Sequence, residues 1–212
     1  MLESQEIYRF CAQKRISILN SNFITRPSPT DVSPFSVLAS QALWESHGHS
    51  APYEDMAQYI TNKLSEANLL AELLDGRNCF HWMHHEGRPA GYSKVILDCP
   101  NEFVAAQNVT KMERLYFLKE FHGLGLAQQL FDFNLNLAKQ AHQAGIWLYV
   151  WKENHRAIRF YQKMGFEIVG DGLFKVSDTH YNPNHIMFLG MRDEHNKNCI
   201  CQNPLAQVFP HK

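Results

Sequence analysis

Apolar positions change period several times along the chain, and each change predicts an element. Ile16–Pro27 reads as a first strand, broken off by Pro27 and Pro29. Asp31 or Ser33 then caps a helix that carries Phe35, Leu38, Ala42 and Leu43 at three- and four-residue intervals. The same spacing predicts a second helix over Glu54–Leu74, with Tyr59, Ile60, Leu64, Leu69 and Leu73 inward and Gly76 as its stop. Strands around Asn78–His84 and Ala90–Asp98 flank the turn Glu86-Gly87-Arg88-Pro89, which makes a hairpin. From Glu113 a strand runs into a glycine-rich turn and then into a helix whose stripe is Leu126, Leu130, Phe133, Leu137 and Ala141. Ile146–Trp151, β-branched and aromatic, reads as a buried strand. Asn154 caps a last helix with Ala157, Phe160, Tyr161 and Met164 on one face, and Gly165 stops it. Strands over Glu167–Val176 and His185–Met191 close a mixed sheet.

The turn between Glu113 and Ala127 carries the chemistry. The first N–H groups of a helix lack internal partners, and the helix dipole adds partial positive charge there. Gly123 and Gly125 put no side chain in an anion's way. A phosphate-bearing ligand is expected. A nucleoside-triphosphate P-loop needs Lys-Ser or Lys-Thr after its last glycine, whereas this loop continues Ala127-Gln128-Gln129. A dinucleotide fingerprint needs glycine or alanine three residues after Gly125, where Gln128 stands, and belongs near the start of a parallel sheet.

His122-Gly123-Leu124-Gly125-Leu126-Ala127 resembles the coenzyme A pyrophosphate loop of the GNAT superfamily of N-acetyltransferases, with His122 where that pattern has Gln or Arg. A second motif follows about thirty residues on, the length of one helix and one strand. Asn154-x-x-Ala157-x-x-Phe160-Tyr161-x-Lys163-x-Gly165-Phe166 resembles the family's second signature, in the right order. The resemblance spans about residues 17–192, leaving an extension over 1–16 and a polar tail over 193–212. It implies an α/β (α+β) GNAT fold: a mixed, mostly antiparallel sheet of about seven strands flanked by about four helices.

The resemblance also implies acetyl transfer from acetyl-coenzyme A directly to a primary amine. Backbone groups of Leu115, Tyr116, Phe117 and Leu118 would face the pantetheine arm and the thioester. Amides of His122, Gly123, Leu124, Gly125, Leu126 and Ala127 would hold the diphosphate. Asn154 is a helix cap and a contact to the coenzyme arm. Tyr161 matches the family's general acid; a phenol with a pKa of ~10 carries its proton at neutral pH. Glu113, at the start of the cradle strand, is the candidate base, against the alternative of a solvated strand-end charge. Ribosomal-protein alanine acetyltransferases have a glutamate where Tyr149 stands here, so Tyr149 and Trp151 are expected to shape the acceptor pocket instead.

Within the superfamily the chain looks most like the spermine/spermidine acetyltransferase branch, on Trp151–Asn154, Lys163–Phe166, Phe174–Asp178 and His185–Met187. A polyamine site should offer carboxylates, and Glu45, Glu54, Asp55 and Asp178 are the candidates. A small-molecule amine, a polyamine first, is the leading acceptor, with an aminoglycoside, an amino acid or a protein N-terminus as alternatives; a non-catalytic acyl-coenzyme A sensor of the same fold is the alternative of another class. Many such proteins are homodimers.

Composition narrows the setting. A length of 212 residues suits one domain, and a net charge of −1 without basic runs argues against nucleic acid. No apolar stretch approaches the ~18 residues that span a bilayer, and the first residues lack a signal-peptide pattern. Five cysteines without a framework suggest reduced thiols and a cytoplasmic protein. Cys79, His81, His84 and His85 alternate between strand faces, and His195 with Cys199 and Cys201 lacks a second ligand group, so no metal is expected.

Overall fold

A computed structural model describes residues 22–191 and the backbone of residues 16–18. The extension, the tail and the His195, Cys199 and Cys201 group lie outside the described residues.

One sheet organises the chain. Its strands are β1 (Ile16–Ile18), β2 (Asn22–Thr25), β3 (Asn78–His85), β4 (Arg88–Ile96), β5 (Val109–Phe117), β6 (Gly145–Trp151), β7 (Glu167–Lys175) and β8 (Tyr181–Gly190), in the order β1-β2-β3-β4-β5-β6-β8-β7. Among the described residues eight strands appear where about seven were expected, because the segment read as one strand pairs with itself as β1 and β2. Glu86 and Gly87 make the two-residue β3–β4 turn, both with positive φ.

Five helices cover the sheet among the described residues: α1 (Val32–His47), α2 (Tyr53–Lys63), α3 (Glu66–Leu74), α4 (Leu126–Gln140) and α5 (His155–Lys163). The single helix expected over Glu54–Leu74 is two. Ser65 accepts a hydrogen bond from the Asn68 N–H at 3.3 Å and restarts the helix, while Leu64 is buried at the joint. After the break, Glu72 of α3 holds Arg114 of the sheet and lines the site described below.

The core falls into two large clusters. Phe35, Leu38 and Leu43 of α1, with Met56, Ile60 and Leu69, pack on Phe80, Trp82 and Tyr92. Phe131, Leu137 and Ala138 of α4 pack with Tyr161 and Phe166 on Ile146, Leu148 and Val150. Alternation along β6 sends Trp147 to the opposite face, against Val104, Val109 and Ile186.

All neighbouring strands run antiparallel except β5 and β6, which are parallel and pair only over Val109–Lys111 with Gly145–Trp147. Beyond Lys111 the two strands part. A register shift between β4 and β5 adds to this opening: Lys94 faces Arg114 and Val95 faces Met112, leaving Glu113 as the extra, bulged residue.

Candidate active site

The gap between β5 and β6 opens into a cavity of about 730 Å³. Gly123 and Gly125 line one end, Tyr161 and Asn154 the middle, and Met56, Tyr59 and Phe174 the other end.

Local chain geometry explains the first end. Gly123 and Gly125 have φ of +86° and +74°, and a Cβ built on either would meet nothing within 4 Å. Both therefore need the left-handed region, and both leave open space above the backbone. Helix α4 starts at once, at Leu126. Among the described residues, the N–H groups of Gly123 to Gln128 find no protein acceptor. Six unpaired donors at a helix N-terminus suit a diphosphate. The His122 N–H is not among them, because it donates to the Lys119 carbonyl at 3.1 Å.

His122 contributes its ring instead. Nδ1 lies 2.5 Å from Nη1 of Arg156 and Nε2 lies 3.1 Å from the Phe117 carbonyl. A guanidinium can only donate, so Nδ1 accepts and Nε2 carries the hydrogen. Burial and the neighbouring Arg156 charge hold the imidazole below its ordinary pKa, consistent with that neutral tautomer.

Strand register decides which β5 groups face the gap. The Leu118 N–H donates to Ala90 at 3.0 Å, and Phe117 sits opposite Gly91. Phe117 and Leu115 therefore occupy non-hydrogen-bonded positions relative to β4, and their N–H and C=O groups point toward the gap. Tyr116 points its backbone to β4. Of the four residues expected to supply main-chain contacts, Leu115 and the N–H of Phe117 can do so, the Phe117 carbonyl already accepts from His122, and Tyr116 and Leu118 are spent on the sheet. The Leu118 side chain is buried outside the cavity, and Leu124 stands half-exposed at the loop tip.

Tyr161 is buried, and desolvation with Tyr116 nearby pushes its phenol above the ordinary value. Its ring packs edge-on against Phe160 and Phe166 while it lines the cavity. Asn154 Oδ1 accepts from the Ala157 N–H at 3.1 Å, the expected cap, and the residue also lines the cavity.

Glu113 is held by cations. Its carboxylate lies 2.5 Å from Lys94 Nζ and 3.2 Å from Lys111 Nζ. Burial raises its pKa, but Lys111, Lys94 and Arg114 outweigh that and bring it down to about 2. Such a carboxylate keeps its charge and is a weak proton acceptor. The bulge gives the cause: Glu113 and Arg114 both reach the ionic cluster around Lys94 and Glu72, where a regular strand would send them to opposite faces.

Residues 39–166, more than half of the chain, match the Acetyltransferase (GNAT) family. The chain belongs to the GNAT acetyltransferase family. An uncharacterized N-acetyltransferase of Lactobacillus delbrueckii subsp. lactis is 27% identical over 155 residues, covering 73% of this chain and 90% of that protein. The PaiA N-acetyltransferase of Thermoplasma acidophilum, solved with coenzyme A, superimposes with a TM-score of 0.65 at 18% identity, over 81% of this chain and all of that one. The ribosomal-protein-S18-alanine N-acetyltransferase of Escherichia coli gives 0.58 at 17% identity, over 82% and 97%. Membership of this GNAT family makes the protein an acetyltransferase.

Sequence reasoning missed two residues of this GNAT site. Arg156, between the recognised Asn154 and Ala157, reaches the loop through His122. His47, in the last turn of α1, lines the cavity with its ring 5.6 Å from Tyr116 and 6.2 Å from Trp151. Its Nδ1 is buried with no partner among the described residues, and burial lowers its pKa to about 4, with His49 and Arg156 adding to the shift. The α1 stripe gave only a faint signal, a polar ring at the end of an apolar face. Tyr149 and Trp151 line the same cavity, as expected.

The carboxylates expected for a polyamine do not line it. Glu45 accepts from the Lys119 N–H at 2.6 Å, and Asp178 is 94% exposed and paired with Lys175. Glu54 and Asp55 sit in the first turn of α2, off the cavity wall. Nor do the β3 histidines gather: His81 meets Asn134, His84 meets Thr25 and His85 meets Asn22. Among the described residues no three potential ligands cluster for a metal, and no helix is long and apolar enough to cross a membrane.

Proposed function

We propose that the protein acetylates the primary amine of a small molecule, which attacks the thioester directly inside the β5–β6 gap. One observation carries this reading: the row of unpaired loop amides opens into the same cavity as the Tyr161 phenol. Acetyl-coenzyme A would supply an activated acetyl group and a diphosphate handle.

Each residue then has a task. The amides of Gly123, Leu124, Gly125, Leu126 and Ala127 grip the diphosphate, with Gln128 extending the row. Leu115 and Phe117 offer main-chain groups to the pantetheine amides and the thioester oxygen. Tyr161, kept protonated by burial, delivers its phenolic hydrogen to the departing sulfur. His47, neutral at physiological pH, accepts a hydrogen bond that orients the attacking amine; the amine's proton leaves to water, and water returns a proton to the Tyr161 oxygen. Glu113 positions Lys94 and Lys111 and keeps its charge. The acceptor enters past Met56, Tyr59 and Phe174, where Tyr149 and Trp151 complete the walls.

A thiol-release assay with acetyl-coenzyme A and a panel of small amines tests this. Amine-dependent release with a matching acetylated product is the expected result. Release no faster than hydrolysis with every amine would overturn it.

A further inference from the structure

The charges on the acceptor side of the cavity do not balance. Among the described residues, Glu72 and Glu113 are the carboxylates that line it, and both are spent. Glu72 grips Arg114 with two hydrogen bonds of 2.7 and 3.0 Å and meets Lys94 at 3.2 Å. Glu113 meets Lys94 and Lys111 at 2.5 and 3.2 Å. Three cations thus face two carboxylates, leaving one positive charge over. The cluster is not solvated enough to ignore it: side-chain exposure is 5% for Lys94, 12% for Arg114 and 21% for Lys111. A buried charge without its counter-charge is costly, and an arriving anion relieves that cost.

Two further features aim the surplus at the ligand. Lys111 is held over the rings of Trp147 and Tyr149, 5.4 and 5.9 Å from their centroids, which keeps its ammonium on the acceptor face. Lys63, at the end of α2, also lines the cavity and makes no ion pair among the described residues. Leu43, Met56 and Phe174 add apolar surface to the same cavity, and Lys175, which also lines it, is already paired with Asp178 at 2.7 Å.

We propose that the acceptor is a primary amine that also carries an anionic group, a carboxylate or a phosphate, held by Lys111 and Lys63 at the far end of the cavity. This rests on reading the cavity as the acetyl-acceptor site. A polyamine would set its extra ammonium groups against like charge, whereas an amino acid or an aminoalkyl phosphate would neutralise the wall while presenting its amine.

The test uses matched compounds with the whole protein. Methionine is set against its methyl ester and its amide, 2-aminoethyl phosphate against ethanolamine, and spermidine is run beside them. Two readouts are taken: kcat/KM from thiol release, and Kd from quenching of tryptophan fluorescence. The expected result is at least a tenfold preference for the anionic member of a pair, with the winning pair telling carboxylate from phosphate. Lys111→Met should bring that preference close to one, and Lys63→Met, at an exposed site, should reduce it if the first variant does not fold. Equal or better binding of the neutral members, or spermidine as the best ligand, overturns the proposal. Absence of turnover with every amine counts against acyl transfer instead, because the binding preference is still read directly.

Discussion

Arg156 donates a hydrogen bond of 2.5 Å to Nδ1 of His122, joining the first turn of α5 to the glycine loop that precedes α4. Position 122 is where the family pattern carries Gln or Arg. Here a neutral ring stands there and takes hold of a guanidinium from another element, so positive charge still reaches the loop. Arg156→Met should raise the Kd for acetyl-coenzyme A about tenfold, the cost of one charge-assisted contact to a phosphate. Acetyl-pantetheine, which lacks the diphosphate, should bind the variant and the parent alike. Equal weakening of both ligands in a calorimetric titration would place the effect of Arg156 elsewhere.

Replacing Tyr161 by Phe keeps the ring packing against Phe160 and Phe166 and removes only the hydroxyl. Turnover should fall by about 10²-fold, the usual contribution of a positioned acid, while the Kd for acetyl-coenzyme A stays within about twofold. Steady-state kinetics and a binding titration of the same sample check this. Unchanged kcat would remove the phenol from the reaction.

Sequence periodicity and turn chemistry reached most of the fold. The glycine loop, the Asn154 cap, the Glu86-Gly87 hairpin turn and the closing strands all depend on local rules, and the structure has them in place. What local rules do not encode was missed for identifiable reasons. The break at Ser65 hides inside a continuous apolar stripe from Tyr59 to Leu73, and only the cap made with Asn68 reveals it. The bulge at Glu113 is a property of pairing between β4 and β5, so nothing in the β5 sequence announces it. That bulge turns a candidate base into the anchor of two lysines. His47 and Arg156 reach the site from helices that are distant in sequence from the loop, and a one-dimensional pattern cannot place them there.

Glu113 leads to a stability prediction. Its folded pKa of about 2 lies below the ordinary carboxylate value, so its contribution is complete above about pH 4.5 and disappears as pH falls toward 2. Roughly 3 kcal/mol is involved, at 1.36 kcal/mol per unit. Glu113→Gln should cost about 3 kcal/mol at pH 7, since Lys94 and Lys111 lose their shared partner, and should flatten the acid limb below pH 4.5. Urea unfolding across that range measures both. A variant as stable as the parent at pH 7 would mean that the lysines do not need the carboxylate.

His47 titrates in a separate window. Its pKa is depressed from 6.5 to about 4, so the unfolded chain binds more protons between those values and stability drops as pH falls through them. Between pH 7 and 5 the loss should be about 2 kcal/mol, where Glu113 contributes almost nothing. His47→Gln should remove that slope and also lower kcat, with little change in acetyl-coenzyme A binding. A parent protein equally stable at pH 7 and pH 5 would contradict the burial of this ring.

The grip of the glycine loop on a diphosphate is tested most directly by hydrogen exchange with and without acetyl-coenzyme A. Among the described residues the amides of residues 123–128 find no acceptor, so they should exchange fast alone and become strongly protected on binding. Acetyl-pantetheine should leave them fast. Saturation with acetyl-coenzyme A, verified by heat, while these six amides exchange at their free rates would contradict the account.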